Sequence, residues 1–149
     1  MLPNATAPKI DISPLLLEEA EEAADILQIL RHDPTAEQVR QGLAELRETA
    51  TGEALAARLN GRVAGIITLH RAIQLHRPGP VGRIVSLAVR EELQGRGIGS
   101  RLVKEAEAWF RSRGCVAMEV TSNVRREGAH RFYRGLGFEM TSYRFWRDL

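Results

Sequence analysis

A mixed α/β domain is predicted by three features of this chain. Asn60-Gly61, a pair that tolerates left-handed backbone at both centres of a tight hairpin turn, joins two apolar runs, residues 54–59 and 62–75. Residues 83–90, RIVSLAVR, are almost continuously apolar, as in a central strand buried on both faces. Gly95, Gly97 and Gly99 then open a segment in which Ile98, Leu102, Ala106 and Phe110 recur at helical spacing.

The other elements follow in order. Residues 1–13 are Pro-rich and aperiodic, and are expected to form a loose arm. In residues 14–32, Ala23, Ile26, Leu27 and Leu30 share one helical face, whereas Leu15 to Leu17 fit either the start of that helix or a short buried strand. Asp33 and Pro34 read as N-cap and first position of a second helix, with Ala36, Val39, Leu43 and Leu46 as its buried stripe. HRPGP, residues 76–80, ends the second hairpin strand, and Gly114 stops the helix that follows the glycine loop. CVAMEVTS reads as a strand, Ala129, Phe132, Tyr133 and Leu136 as a helix ended by Gly137, and FEMTSYRFW as a final strand. Its Tyr143, Phe145 and Trp146 are expected to cover the core, with lining of a ligand pocket as the alternative.

At 149 residues, one domain spanning 1–149 is expected, and 44% apolar with 27% charged residues is ordinary globular composition. The N-terminus lacks the basic start and apolar run of a secretory signal, and no stretch approaches the ~18 apolar residues of a membrane span. A cytoplasmic protein without a membrane partner is expected. The lone Cys115 excludes an internal disulfide and reads as a small buried apolar residue. Residues 1–74 carry 7 basic and 11 acidic side chains, and residues 75–149 carry 14 and 8. A basic second half suits an anionic ligand. It lacks interleaved aromatics or a recognisable module for nucleic acid, so no such partner is expected.

Glycine is a poor helix former, so three at a helix entrance need a reason. A helix start carries unpaired N–H groups and partial positive charge, and a preceding loop that turns its amides inward makes a concave anion site. Glycines let those amides approach a phosphate closely, and Arg96 adds a full charge. The loop fits a pyrophosphate. It is not a P-loop, because Gly99 is followed by Ser100 and Arg101 rather than Lys-Ser/Thr. Nor is it a dinucleotide fingerprint, whose second and third glycines stand further apart.

QGRGIG, residues 94–99, resembles the Gln/Arg-x-x-Gly-x-Gly/Ala loop of the GCN5-related N-acetyltransferases (GNAT), and AHRFYRGLGF, residues 129–138, resembles that family's second signature. The resemblance implies a mostly antiparallel central sheet of six to seven strands, flanked by about four helices, with splayed fourth and fifth strands. It implies a first strand at Leu15 to Glu18 and a helix over 21–31. It further implies acetyl-CoA as cosubstrate, a primary amine acceptor (small molecule or protein), no metal, and a possible homodimer through the C-terminal strand. Main-chain groups of Leu87, Ala88 and Val89 would pair with the pantetheine arm. Amides of Gln94, Gly95, Arg96, Gly97, Ile98, Gly99 and Ser100 would hold the pyrophosphate, and Tyr133 would stand beside the sulfur. Asn123 and Arg126 are two candidates for a further coenzyme contact, because the family's usual Asn position here holds Arg126.

Acetyl transfer to an amine needs a proton acceptor, an oxyanion donor and a proton for the leaving thiolate. The amide of Ala88 or Val89 is the candidate oxyanion donor, and Tyr133 the candidate acid. Many relatives carry a carboxylate where this chain has Val85 and Ser86. Glu119 is therefore the first candidate base, with His70 and His76 behind it and a water relay as the alternative. The expected activity is an N-acetyltransferase working through a direct ternary complex. The competing reading is a non-catalytic acyl-CoA sensor or interaction module on the same fold.

Overall fold

The computed structural model describes residues 9–149. Five strands form one sheet in chain order: β1 (Ile10–Pro14), β2 (Gly52–Leu59), β3 (Arg62–Ala72), β4 (Val81–Val89) and β5 (Ala117–Val120). Neighbours are antiparallel except β4 and β5, which are parallel and joined by a helical crossover. Helices α1 (Ala20–Leu27) and α2 (Ala36–Glu48) pack on one face, and α3 (Ile98–Ser112) on the other; α4 (Glu127–Gly135) follows β5.

Strand alternation builds the two cores. Ile66 of β3 faces α1 and α2 with Ala23, Ile26 and Leu43, while Ile67 and Leu69 face α3. The predicted α3 stripe is buried throughout, with Ile98, Leu102, Ala106 and Phe110 all at 2% exposure or less. The hairpin turn also forms as read, with φ of 53° at Asn60 and 79° at Gly61.

Several expectations are corrected. The sheet has five strands rather than six to seven, because FEMTSYRFW forms no strand. No segment among the described residues pairs with it, and Tyr143, Phe145 and Trp146 stand 83%, 94% and 73% exposed instead of covering the core. The first strand is Ile10–Pro14 rather than Leu15 to Glu18, so the segment read as a loose arm becomes regular from residue 10; residues 1–8 lie outside the described residues. After Leu15 the chain turns into a 3-10 turn, Leu17–Glu19, because the Glu19 carboxylate caps the Leu16 N–H at 2.8 Å. The α2 N-cap is Thr35, not Asp33. Thr35 and Gln38 bond reciprocally, side chain to main-chain N–H, at 3.1 and 2.8 Å.

One ion pair joins the sheet edge to the first helix. Arg58 of β2 donates to both Glu19 carboxylate oxygens at 2.8 and 2.5 Å, and also to Ser13 Oγ and the Pro14 carbonyl. Those hydrogen bonds from Arg58 hold the Glu19 carboxyl below its ordinary pKa, against burial, which pushes it up. A carboxyl depressed on folding contributes stability above its unfolded pKa, about 4.3, and that contribution is lost as pH falls through the folded value. Glu19→Gln is therefore expected to cost roughly 3 kcal/mol at pH 7, by stranding the guanidinium. Below pH 4 the gap between wild type and variant should narrow in urea melts; a gap independent of pH would remove the pair from this role.

Candidate active site

The β4–β5 ladder is short. It runs from Val81 opposite Ala117 to Ile84 opposite Val120, while β4 continues to Val89. β5 ends at Val120, so Val85 to Val89 have no β5 partner. The other edge stays paired with β3, with an irregularity that leaves Val85 as an extra residue between the Leu69–Ile84 and Thr68–Ser86 pairs. Leu87 and Val89 pack toward α3, and Ala88 is buried on the opposite face.

The glycine loop follows directly. A 3-10 turn over Glu91–Leu93 leads into it, and Gln94 Nε2 donates to the Val89 carbonyl at 3.1 Å. Gly95 and Gly97 take φ of 76° and 82°, and Gly97 is the N-cap of α3. These left-handed turns swing the chain into the helix, a conformation costly for residues with a Cβ. Among the described residues, the amides of Gly95 through Ser100 donate to no carbonyl or side chain; the first bonded amide is that of Arg101, to Gly97 at 3.1 Å. Six successive donors without acceptors at a helix N-terminus make an anion cradle. Arg96 beside them is exposed and forms no ion pair among the described residues.

Gly99 has a different job. A Cβ there would lie 3.3 Å from Cζ of Phe132, so α4 docks against the first turn of α3. Phe132 packs on the same core cluster as Leu87 and Val89 of β4. Tyr133 is half-buried, edge-on to Phe132 and Phe138 at centroid distances of 5.1 and 5.6 Å. Burial pushes its phenol above the ordinary value, and Arg126 opposes this only in part. Asn123 is engaged locally: its side chain accepts the Arg125 N–H at 2.9 Å, and its carbonyl meets His130 Nε2 at 2.9 Å. Burial likewise raises the Cys115 thiol, as suits a packed, unreactive side chain.

A cavity of about 740 Å³ lies between the sheet and the α1–α2 layer. Val85, Ser86, Thr68 and His70 contribute to its lining from the sheet, and His32, Asp33 and Gln38 from the helical side. Thr68 and Ser86 hydroxyls bond each other across the β3–β4 ladder. Of the candidate bases, His70 alone lines this cavity. Glu119 is half-exposed, 4.0 Å from Arg83, and His76 is exposed in the loop after β3. The cavity reaches β4 at Val85, where the β5 ladder ends. Sequence reasoning missed His32, Asp33 and Gln38, whose approach to the sheet depends on how α2 docks.

The profile of the Acetyltransferase (GNAT) family matches residues 23–138. The chain belongs to this family. The acetyltransferase is 34% identical over 125 residues to an aminoalkylphosphonate N-acetyltransferase of Salmonella typhimurium, covering 83% of this chain and 80% of that one. It is 30% identical over 112 residues to an aminoglycoside N(6')-acetyltransferase type 1 of Stenotrophomonas maltophilia, covering 73% and 71%. In fold it is similar to an aminoglycoside N-acetyltransferase solved in complex with CoA, with a TM-score of 0.85 at 17% identity, over 99% of each chain.

Left-handed backbone at the loop has a consequence for stability that needs no ligand. Gly97→Ala in this acetyltransferase is expected to lower the urea midpoint by the equivalent of about 1 kcal/mol, the strain of a left-handed alanine. Gly42→Ala, mid-helix with open space around its Cβ, should raise it by up to about 1 kcal/mol. Equal effects at the two glycines would contradict the left-handed N-cap.

Proposed function

We propose that this acetyltransferase moves the acetyl group of acetyl-CoA directly to a primary amine within a ternary complex. The observation that carries the reading is the row of six acceptor-free amides, Gly95 to Ser100, beside a strand edge that is open beyond Ile84. A diphosphate fits the first and an extended amide-bearing arm the second. Leu87, Ala88 and Val89 would pair with that arm, Gln94 to Ser100 would hold the pyrophosphate, and Arg126 would add charge at the start of α4. Asn123, already bonded within its own turn, would contribute by shaping that start.

The acceptor enters from the cavity on the α1–α2 side. Its ammonium gives a proton to His70, and the freed nitrogen attacks the thioester carbonyl. A main-chain N–H of the open β4 edge, at Ala88 or Val89, receives the developing oxyanion. The C–S bond then breaks, the thiolate takes the phenolic proton of Tyr133, and the remaining extra proton on the new amide nitrogen passes through water to restore the phenol. An exposed thiolate is less basic than a phenolate, so this transfer needs the sulfur held away from water, which raises the thiolate's basicity. Burial of Tyr133 keeps it protonated at neutral pH, so it holds a proton to give. Because a donor acts while protonated, activity controlled by Tyr133 is lost only as pH rises through its pKa, which lies above the ordinary value of about 10. An alkaline decline centred near pH 8 would belong to another group.

His70→Gln is expected to lower kcat about 100-fold and flatten the acid limb of the pH–rate profile, while Glu119→Gln stays within threefold of wild type. Tyr133→Phe should lower kcat by a similar factor with coenzyme affinity, read by calorimetry, within threefold. Full turnover by Tyr133→Phe would remove the acid step, and the reverse ranking of His70 and Glu119 would return the base to β5.

We also propose a homodimer in which residues 139–149 meet a second copy, since a monomer leaves Tyr143, Phe145 and Trp146 in water. Sedimentation should give twice the chain mass for wild type and the single mass after Phe145→Ser with Trp146→Ser. A monomeric wild type would end this assignment.

A further inference from the structure

The cavity has a charge character more specific than "amine". Its walls are largely apolar, with Leu27, Val39, Leu43, Leu46, Ile66 and Val85 among the lining side chains. No lysine or arginine lines it among the described residues. The nearest guanidinium across the ladder from His70 is that of Arg83, which faces Glu119 at 4.0 Å. Of the 11 acidic side chains in residues 1–74, Asp33 alone lines the cavity, in the exposed connection between α1 and α2, where its carboxylate accepts from Gln28 Nε2 at 3.2 Å.

We propose that the acceptor is a primary amine carried on an uncharged, mainly apolar body, and that amines bearing a phosphonate or several ammonium groups are excluded. The proposal rests on the acetyl-transfer reading above. A phosphonate brought into this cavity would lose its water and meet the Asp33 carboxylate at the entrance, with the imidazole of His32 beside it but no lysine or arginine to pair with. A polycation would find one carboxylate for several charges. An alkyl or aralkyl chain, in contrast, replaces water along leucine, isoleucine and valine surface. The same apolar walls act on the reacting group. They disfavour its ammonium form, and so favour the neutral nucleophile just where β4 carries Val85 and Ser86 in place of a carboxylate. Hydroxyls Thr68 and Ser86 satisfy each other, which leaves His70 as the titratable group available at the sheet end of the cavity.

The contrast with the aminoalkylphosphonate N-acetyltransferase at 34% identity makes the proposal testable. Coenzyme A release is measured with hexylamine, phenethylamine, 2-aminoethylphosphonate and kanamycin. The expected kcat/KM for the two apolar amines exceeds that for both charged acceptors by about 100-fold or more. Turnover of the phosphonate or the aminoglycoside within threefold of hexylamine overturns the proposal. A second variant tests the cause. Gly42 lines the cavity from α2, and a Cβ there has nothing within 4 Å. Gly42→Arg therefore adds a guanidinium at a helical position without crowding the core, and should raise 2-aminoethylphosphonate turnover at least about tenfold. An unchanged rate in a folded Gly42→Arg variant, checked by thermal melting, overturns the electrostatic account.

Titration of hexylamine into the full chain, with and without saturating coenzyme A, separates this proposal from the catalytic one. Hexylamine binding without turnover keeps the acceptor class and overturns acetyl transfer. Neither binding nor turnover of either apolar amine overturns the acceptor class itself.

Discussion

Between Val85 and Val89, β4 runs on without β5, and the main-chain polar groups on that edge must find partners outside the ladder. Everything that makes this domain a site depends on that departure. A parallel ladder extended by even a few pairs would close the edge and leave no slot between the strands. The four pairs that do form, Val81 to Ile84, are enough to hold β5 in the sheet and to fix where α4 begins. The extra residue at Val85 marks the same place on the β3 side, so both edges of β4 change character within two residues of each other.

The stretch of β4 without a β5 partner is followed at once by the glycine loop, and the two share one physical character: donors with no internal acceptor. In a helix N-terminus this is ordinary for the first turn, but here the row begins three residues earlier, at Gly95. Gly95 and Gly97 supply the left-handed geometry, and Gly99 supplies room for Phe132. The three glycines of the motif thus have two different causes, and the third couples the loop to α4 and to Tyr133. On the far side of the sheet, the Arg58–Glu19 pair anchors the start of α1 against the β1–β2 edge, and so helps frame the cavity that α1 and α2 roof.

How much was legible in the sequence follows from the range of the forces involved. Asn60-Gly61, the α3 stripe and the positive-φ stops at Gly114 and Gly137 are local, set by backbone sterics and by the helical repeat, and each formed where it was read. The first strand and the α2 cap were misplaced because neighbours decided them. Ile10 to Pro14 is a strand because β2 pairs with it, and Thr35 won the cap because Gln38 answers it three residues on. FEMTSYRFW has the pattern of a strand and no partner among the described residues, so pattern alone could not make it one. Among the site residues, the main-chain donors were readable because glycine spacing reports backbone geometry. Which side-chain candidate borders the cavity was not readable, since Glu119 and His70 share a sheet face through the Arg83 register and only the packing of α1 and α2 puts one of them on the cavity.

By itself, the sequence determined the mixed α/β class, the hairpin at Asn60-Gly61, the glycine loop at 94–100 at the entrance of α3, and the helix around Tyr133 that Gly137 ends. These are written in short stretches where sterics and periodicity act over a few residues. Only the tertiary structure decided where β4 leaves β5, that Gly99 lies under Phe132, and that the cavity beside Val85 is lined by His70 and Asp33 without a lysine or arginine. Those features join residues tens of positions apart, and their geometry is set by packing that no local pattern encodes.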